Sequence, residues 1–144
     1  MPEANNAEFL QQAMQNPVIR DLYGFELGDI GYGEVTLSAG IRDELGHAPG
    51  FFQGSVITAI AEFAGAFAAI TTAPEGGAGT MSTVDQTIKF VSPARGERMI
   101  ARGRVIKPAR SLIACSVDIY VMRDGTEHLC ATMLQSNYRP PERA

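Results

Sequence analysis

Between Leu45 and Pro74 a single side chain carries a formal charge, the carboxylate of Glu62. It stands inside GSVITAIAEFAGAFAAITT, residues 54–72, the most apolar stretch of the chain. An isolated buried carboxylate is strongly disfavoured, so this one must be paired, protonated or placed at a cleft. At a cleft it can take a proton from water or attack a carbonyl carbon itself. The plainer alternative is an edge position from which Glu62 reaches solvent, but the flanking IAEFA leaves little polar face. Gln53-Gly54-Ser55 opens the same stretch. If a helix begins there, its first N–H groups are free and carry partial positive charge, suited to polarising a carbonyl and holding an oxyanion. Gly54 lets a ligand come close to the backbone; an ordinary capping loop would show the same residues. His47, one loop earlier, is placed to orient a water, meet an acyl group or bond within its loop.

These residues need elements to hold them. The 54–72 stretch is apolar around nearly its whole circumference, which predicts a long buried helix. Gly65 and six alanines keep it thin enough to lie close on a sheet. Ahead of it, residues 5–15 predict a short amphipathic helix carrying Phe9, Leu10, Ala13 and Met14, stopped by Pro17. The region from Tyr23 to Ile41 reads as a two-stranded hairpin, with Val35, Leu37 and Ala39 on one face. Residues 42–53 read as a Gly- and Pro-containing loop. Behind the helix and the turn at 73–79, everything reads as strands. Val84, Gln86, Ile88 and Phe90 alternate with Asp85, Thr87 and Lys89, and a strand at 97–106 ends at Lys107-Pro108. Ile113, Cys115, Val117, Ile119 and Val121 alternate through 111–121, Asp124-Gly125 makes a hairpin turn, and a last strand runs from about Glu127 to Tyr138. The fold class is therefore α+β, with a curved antiparallel sheet wrapped around a long buried central helix. Residues 1–144 are expected to form one domain, with a helical segment over 1–18 and a frayed tail at 139–144. A lone protomer would leave a sheet edge open, which predicts a homodimer.

Composition narrows the function classes. The chain has 144 residues, 45% of them apolar, and a net charge of −4. An acidic balance disfavours nucleic acid as a partner. Arg95, Arg98, Arg102, Arg104, Lys107 and Arg110 nevertheless crowd one short stretch, either a solvated strand face or an anion site. Cys115 and Cys130 form no CxxC pair and there are only two His, so no metal or other cofactor is expected. Both cysteines read as buried reduced thiols, which suits the cytoplasm. The polar N-terminus MPEANNAEFLQQ is no signal peptide, and the apolar stretch is too short and too interrupted to span a membrane.

Taken together, these motifs resemble the PaaI-type hotdog acyl-CoA thioesterases over about residues 20–138. His47 matches the family's leading polar residue, Gln53-Gly54-Ser55 its His-Gly-Gly, and Ile60-Ala61-Glu62 its Leu-Ala-Asp, with the same separation from Gln53 to Glu62. TIKFVSPARG at 87–96 and Asp124-Gly125 are similar to its later strand-turn and hairpin. The departures are Glu for Asp, which also occurs in hotdog thioesterases acting on aromatic acyl-CoA, Gln53 for His, and Ser55 for the second Gly. The resemblance implies hydrolysis of an aromatic or medium-chain acyl-CoA, with Glu62 as general base or nucleophile. The Gly54 N–H would polarise the carbonyl, and Gln53 and His47 would orient the carbonyl or water. Substrate binding would involve Ser55, Phe52, Ser82, Thr83, Arg95, Lys107 and Arg110, with Ser82 and Thr83 coming from the second subunit of a dimer, itself assembling to a homotetramer. Phe51, Phe63 and Phe67 are further candidates for an acyl pocket. Two rivals remain open: a non-catalytic acyl-CoA-binding hotdog protein, and a hotdog acyl-carrier-protein dehydratase. For the latter, Gly46-His47-Ala48-Pro49-Gly50 and Glu62 resemble an acid-base pair.

Overall fold

A computed structural model describes residues 2–141. Helix α1 spans Ala7–Ala13 and helix α2 spans Gly54–Ile70. The strands are β1 (Glu26–Gly31), β2 (Glu34–Gly40), β3 (Ser82–Phe90), β4 (Arg98–Val105), β5 (Leu112–Arg123) and β6 (Thr126–Tyr138). All pairings are antiparallel, in the spatial order β1-β2-β4-β5-β6-β3. The strand after the helix, β3, thus lies at one edge, and β6 fills the gap between it and β5. This is the hotdog architecture, the sheet curling around α2.

Alternation along the strands decides which face meets the helix. Val35, Leu37 and Ala39 of β2, Met99 and Ala101 of β4, and Ile113, Cys115, Val117, Ile119 and Val121 of β5 are all buried. From α2 most of them receive Val56, Ile57, Ile60, Ala61, Ala64 and Phe67, while Ile113 and Cys115 pack with Ala69. Close packing rests on two glycines. A Cβ at Gly103 of β4 would sit 2.4 Å from the Ala64 carbonyl oxygen, and one at Gly65 would sit 2.3 Å from Gln135 Oε1. Only backbone without side chain lets α2 lie this deep in the sheet.

Both ends of α2 are tied down. At its C-terminus Thr71, fully buried, accepts the Gly33 N–H at 2.7 Å and donates to the Ala68 carbonyl at 2.6 Å, joining helix and β1–β2 hairpin. Asn6, in the left-handed region at φ 60°, donates to the carbonyls of Ile70, Ala73 and Pro74 and accepts the Gly76 N–H. It thereby clamps α1 onto the turn that follows α2. At its N-terminus the 46–53 loop is held by the Phe52 N–H on the Ala94 carbonyl and the Gln53 N–H on the Leu45 carbonyl.

Four details differ from the sequence reading. Helix α1 closes at Ala13, before Pro17 is reached, and Pro17 instead starts a π-helical turn at Val18–Leu22; proline is well tolerated at the start of a helical turn. Phe9 lies outside the core, 39% exposed, while Leu10 and Met14 are buried. Val84 leaves the β3 alternation because the register shifts between Thr83 and Asp85, a bulge that turns it outward to 55% exposure. Helix α2 is not covered all round: Ser55, Thr58, Ala59, Glu62 and Ala66, spaced three and four apart, form an uncovered or half-covered stripe. Of the tail, Arg139 is tied by its N–H to the Ser111 carbonyl at 2.7 Å, and residues 142–144 lie outside the described residues. Cys115 and Cys130 are buried free thiols. Among the described residues no helix is long and apolar enough to cross a membrane.

Candidate active site

Glu62 sits on the uncovered stripe of α2, half-buried, the one charged side chain on that helix. Its backbone carbonyl faces inward, where it accepts the Gln135 side-chain amide at 3.1 Å. Gly54, the first residue of α2, lies ~12 Å back along the axis and about 80° around it by helical geometry, while Ser55 shares the stripe of Glu62. Gln53 is extended (φ −75°, ψ 145°), and its carbonyl accepts the Val56 and Ile57 N–H groups. Among the described residues, the N–H groups of Gly54 and Ser55 meet no acceptor. They are the free positive end of the helix. The Phe90 ring lies 3.6 Å from where a Gly54 Cβ would be, so the edge strand β3 runs directly past the helix start. The arrangement is a carboxylate along the helix from an open pair of backbone donors, beside a sheet edge. It can hold a carbonyl at one end and serve a water or an acyl carbon at the other.

The expected site residues fall into two groups. Gln53, Gly54 and Ser55 gather at the N-terminal end of α2, with Gln53 and Ser55 exposed. Arg95 is nearby, exposed, bridged by backbone to Phe51 and lining a recess of about 620 Å³ with Phe51, Ser92, Arg123, Glu127 and His128. Phe52 is 2% exposed and packs in the core, so it supports the loop from beneath and offers no surface to a ligand in this chain. Phe67 is likewise core, whereas Phe63 is half-covered and joins an aromatic row with Phe25 and Phe67 at ring separations of 6.3 and 5.9 Å. His47 is exposed on its loop, its ring 5.7 Å from that of Phe51. The small depression beside His47 is lined by residues between Arg42 and Gly50 and does not include Glu62.

Ser82 and Thr83 begin β3, at the far end of the sheet. Seven residue steps along the strand separate Thr83 from Phe90, ~23 Å. Lys107 and Arg110, in the β4–β5 turn, share that far end, since Ser82 and Leu112 both pair with Tyr138 of β6. Within one chain, therefore, these four do not join the Gly54 group. The basic run also divides. Arg98 pairs with Glu26 at 2.5 Å, and Arg102 forms a two-point bond with Glu127 at 2.9 and 2.7 Å, holding that carboxyl below its ordinary range. For those two arginines a paired, solvated strand face is the reading that fits.

Gln135 and Asn137 are buried polar residues close to the candidate site that sequence reasoning does not single out. They are 3% and 1% exposed, on the inward face of β6 behind Glu62. The signal lies in parity: Ala131, Met133, Gln135 and Asn137 share one face, so two amides continue an apolar series.

Comparison with known proteins agrees with the fold. The family model of the thioesterase superfamily matches residues 50–128, the span from the helix loop into β6. No match emerges among curated proteins. Among solved structures, a thioesterase family protein from Silicibacter pomeroyi superposes with a TM-score of 0.83 at 25% identity, covering 92% of this chain and 96% of that one. A thioesterase from Haemophilus influenzae gives 0.81 at 22% identity, covering 96% and 94%. A phenylacetic acid degradation-related protein from Ralstonia eutropha gives 0.74 at 19% identity, covering 92% and 97%.

Proposed function

This chain belongs to the thioesterase superfamily, and we propose that it hydrolyses an acyl-CoA thioester to the free acid and CoA. The observation that carries the reading is the half-open Glu62 carboxylate on the same helix stripe as Ser55, whose N–H and that of Gly54 are free at the helix start. The thioester oxygen binds at the helix start, where the donors hold the charge that develops as the carbonyl carbon becomes tetrahedral. Glu62 either takes a proton from the attacking water or attacks the carbon itself to give an anhydride that water then opens. In both routes the C–S bond breaks, the sulfur leaves as thiol after gaining a proton, and water supplies the acid's second oxygen. Phe63, next in sequence to Glu62 and half-covered, offers the apolar face expected of an aromatic or medium-chain acyl site.

The same reading includes a homodimer through β3. That strand is a sheet edge, and Val84, Phe90 and Val91 on or beside it are each more than half exposed. A two-fold antiparallel pairing centred on Thr87 sets Asp85 against the partner's Lys89 and Val84 against the partner's Phe90, charge to opposite charge and apolar to apolar. It also carries the partner's Thr83 to the Phe90–Val91 end, where Gly54 lies, and brings the partner's Lys107 and Arg110 turn to the same side. The two groups of expected site residues then meet across the dyad, with basic side chains available to CoA phosphates. Further assembly to a homotetramer and a cytoplasmic setting complete the proposal. The dehydratase alternative needs His47 and Glu62 on one substrate, and the recess beside His47 gives it no support.

The test is thiol release from a panel of aromatic, short, medium and long acyl-CoAs, with Glu62→Gln alongside. Turnover of one class, reduced at least ~100-fold in the variant, is the expected result. Equal turnover in both proteins would sink the role of Glu62, and no release from any substrate would leave the non-catalytic binder as the better account.

A further inference from the structure

A chain of buried side-chain amides runs beneath the turn of α2 that carries Glu62. Gln135 Nε2 donates to the Glu62 carbonyl at 3.1 Å and also approaches Gln86 Oε1 of β3 at 3.4 Å. Asn137 Nδ2 donates to Gln135 Oε1 at 2.8 Å. Thr83 Oγ1 in turn donates to Asn137 Oδ1 at 3.1 Å. Both amides lie on the inward face of β6, where the preceding positions of the same parity are Ala131 and Met133, and both are almost completely buried. Apolar side chains there would fill the space without any need for partners, whereas each buried amide must have every strong donor and acceptor met. Here they are met, and the upper end of the chain is the carbonyl of the one charged residue in α2.

The geometry makes the Gln135 amide directional. Asn137 occupies its oxygen, so its NH2 must point to the helix and to Gln86. Gly65 completes the arrangement: a Cβ there would stand 2.3 Å from Gln135 Oε1 and 3.0 Å from its Cδ, so the glycine opens the space through which the amide reaches the helix. The Glu62 carbonyl carbon is bonded directly to the Glu62 Cα. Anchoring that carbonyl to the sheet therefore fixes the direction in which the Glu62 side chain leaves the helix on its opposite, open side.

Resting on the thioesterase reading above, we propose that Gln135, oriented by Asn137, is a positioning residue that sets Glu62 against the helix-start donors by holding its carbonyl. Because Thr83 and Gln86 belong to β3, the same amides tie the carboxylate's turn to the edge strand beside the site.

The test uses Gln135→Met, which keeps length and removes the donors, and Gly65→Ala, which crowds the amide away and keeps every polar group. For each, kcat and KM are measured on the best acyl-CoA of the panel, together with amide hydrogen exchange over residues 62–66 and Tm. Misplacement of a reacting group by ~1 Å costs about 100-fold. The expected result is a fall in kcat of roughly 10–100-fold with KM changed less than about threefold, and faster exchange at 62–66 than at 56–60 relative to wild type. In a Glu62→Gln background Gln135→Met should remove little further turnover. If Gln135→Met does not fold, Gly65→Ala decides by the same readouts. A folded variant with wild-type kcat beside an inactive Glu62→Gln overturns the positioning role alone. So does unchanged exchange at 62–66, or a full multiplicative loss on top of Glu62→Gln. A wild-type protein that releases no thiol overturns both readings.

Discussion

Gly103 offers a perturbation whose size can be worked from distances. It sits on β4 facing α2, and a Cβ at this position would lie 2.4 Å from the Ala64 carbonyl oxygen, 2.6 Å from its carbon and 3.1 Å from the Gly65 nitrogen. Ordinary non-bonded contact between such atoms starts near ~3.4 Å. All three neighbours are helix backbone, so no side chain can rotate out of the way, and α2 must rise by ~1 Å. Overpacking of this kind costs ~1–3 kcal/mol. For a domain of this length, ~2 kcal/mol lowers Tm by ~4–8 °C. Ala64 is in the turn that carries Glu62, so the lift also moves the carboxylate away from groups that β3 holds in place. A displacement of that size predicts a fall in kcat approaching ~100-fold, with a smaller change in KM. The assay is thermal unfolding followed by circular dichroism, run beside thiol release, for Gly103→Ala. The control is Gly79→Ala, where a Cβ meets nothing within 4 Å, and which should match wild type in both. Wild-type Tm and kcat in Gly103→Ala would refute the claim that the helix is seated by contact with this strand.

Two further outcomes follow from the same geometry. Reversing Lys89 to Asp places like charges across the proposed β3 dyad and should move the protein toward monomer in sedimentation experiments, at low salt most clearly. The double exchange Asp85→Lys with Lys89→Asp should restore the dimer, and a dimer indifferent to both variants would exclude this register. Burial pushes both the Cys115 and the Cys130 thiols from 9.0 up to about 11. The folded state favours their protonated form, so the stability they contribute is fully present below pH 9 and is lost as pH rises through about 11. Tm should therefore fall above pH 9, and a thiol reagent at neutral pH should modify both cysteines only after unfolding. Rapid labelling of native protein would contradict their placement.

Much of this fold can be read from periodicity. The β5 positions from Ile113 to Val121 alternate without interruption, and all five apolar side chains are buried in the structure. The α2 stretch is equally plain, because an apolar run with one carboxylate has few ways to fold. What stays hidden depends on neighbours distant in sequence. Val84 leaves its alternation at a bulge, which no local pattern announces. The uncovered stripe of α2 follows from how far one six-stranded sheet can wrap, a property of the whole assembly. For the site, chemistry marks Glu62 and Gly54, since a lone charge and a helix start are local features. Gln135 and Asn137 escape notice because what they meet, the Glu62 carbonyl for Gln135 and Thr83 for Asn137, lies far away in sequence. Phe52 misleads in the other direction: an aromatic beside a helix start fits a pocket or a core equally well in sequence, and only burial decides.

The place of β6 in the sheet has a consequence for synthesis. It inserts between β5 and β3, and the Thr83–Asn137 bond joins residues 54 positions apart. On the ribosome, β3 emerges long before its neighbour does, so the edge that borders the site spends that interval with both sides unpaired. Helix α2 is left half-roofed for the same time, because the amides that grip the Glu62 turn arrive with β6. Folding of the site must then wait for β6, a high-contact-order step that is slow and exposed to association with other chains. Slower translation cannot help before β6 appears, and conditions that protect nascent chains should raise the yield of folded protein more than any added stability of the finished domain.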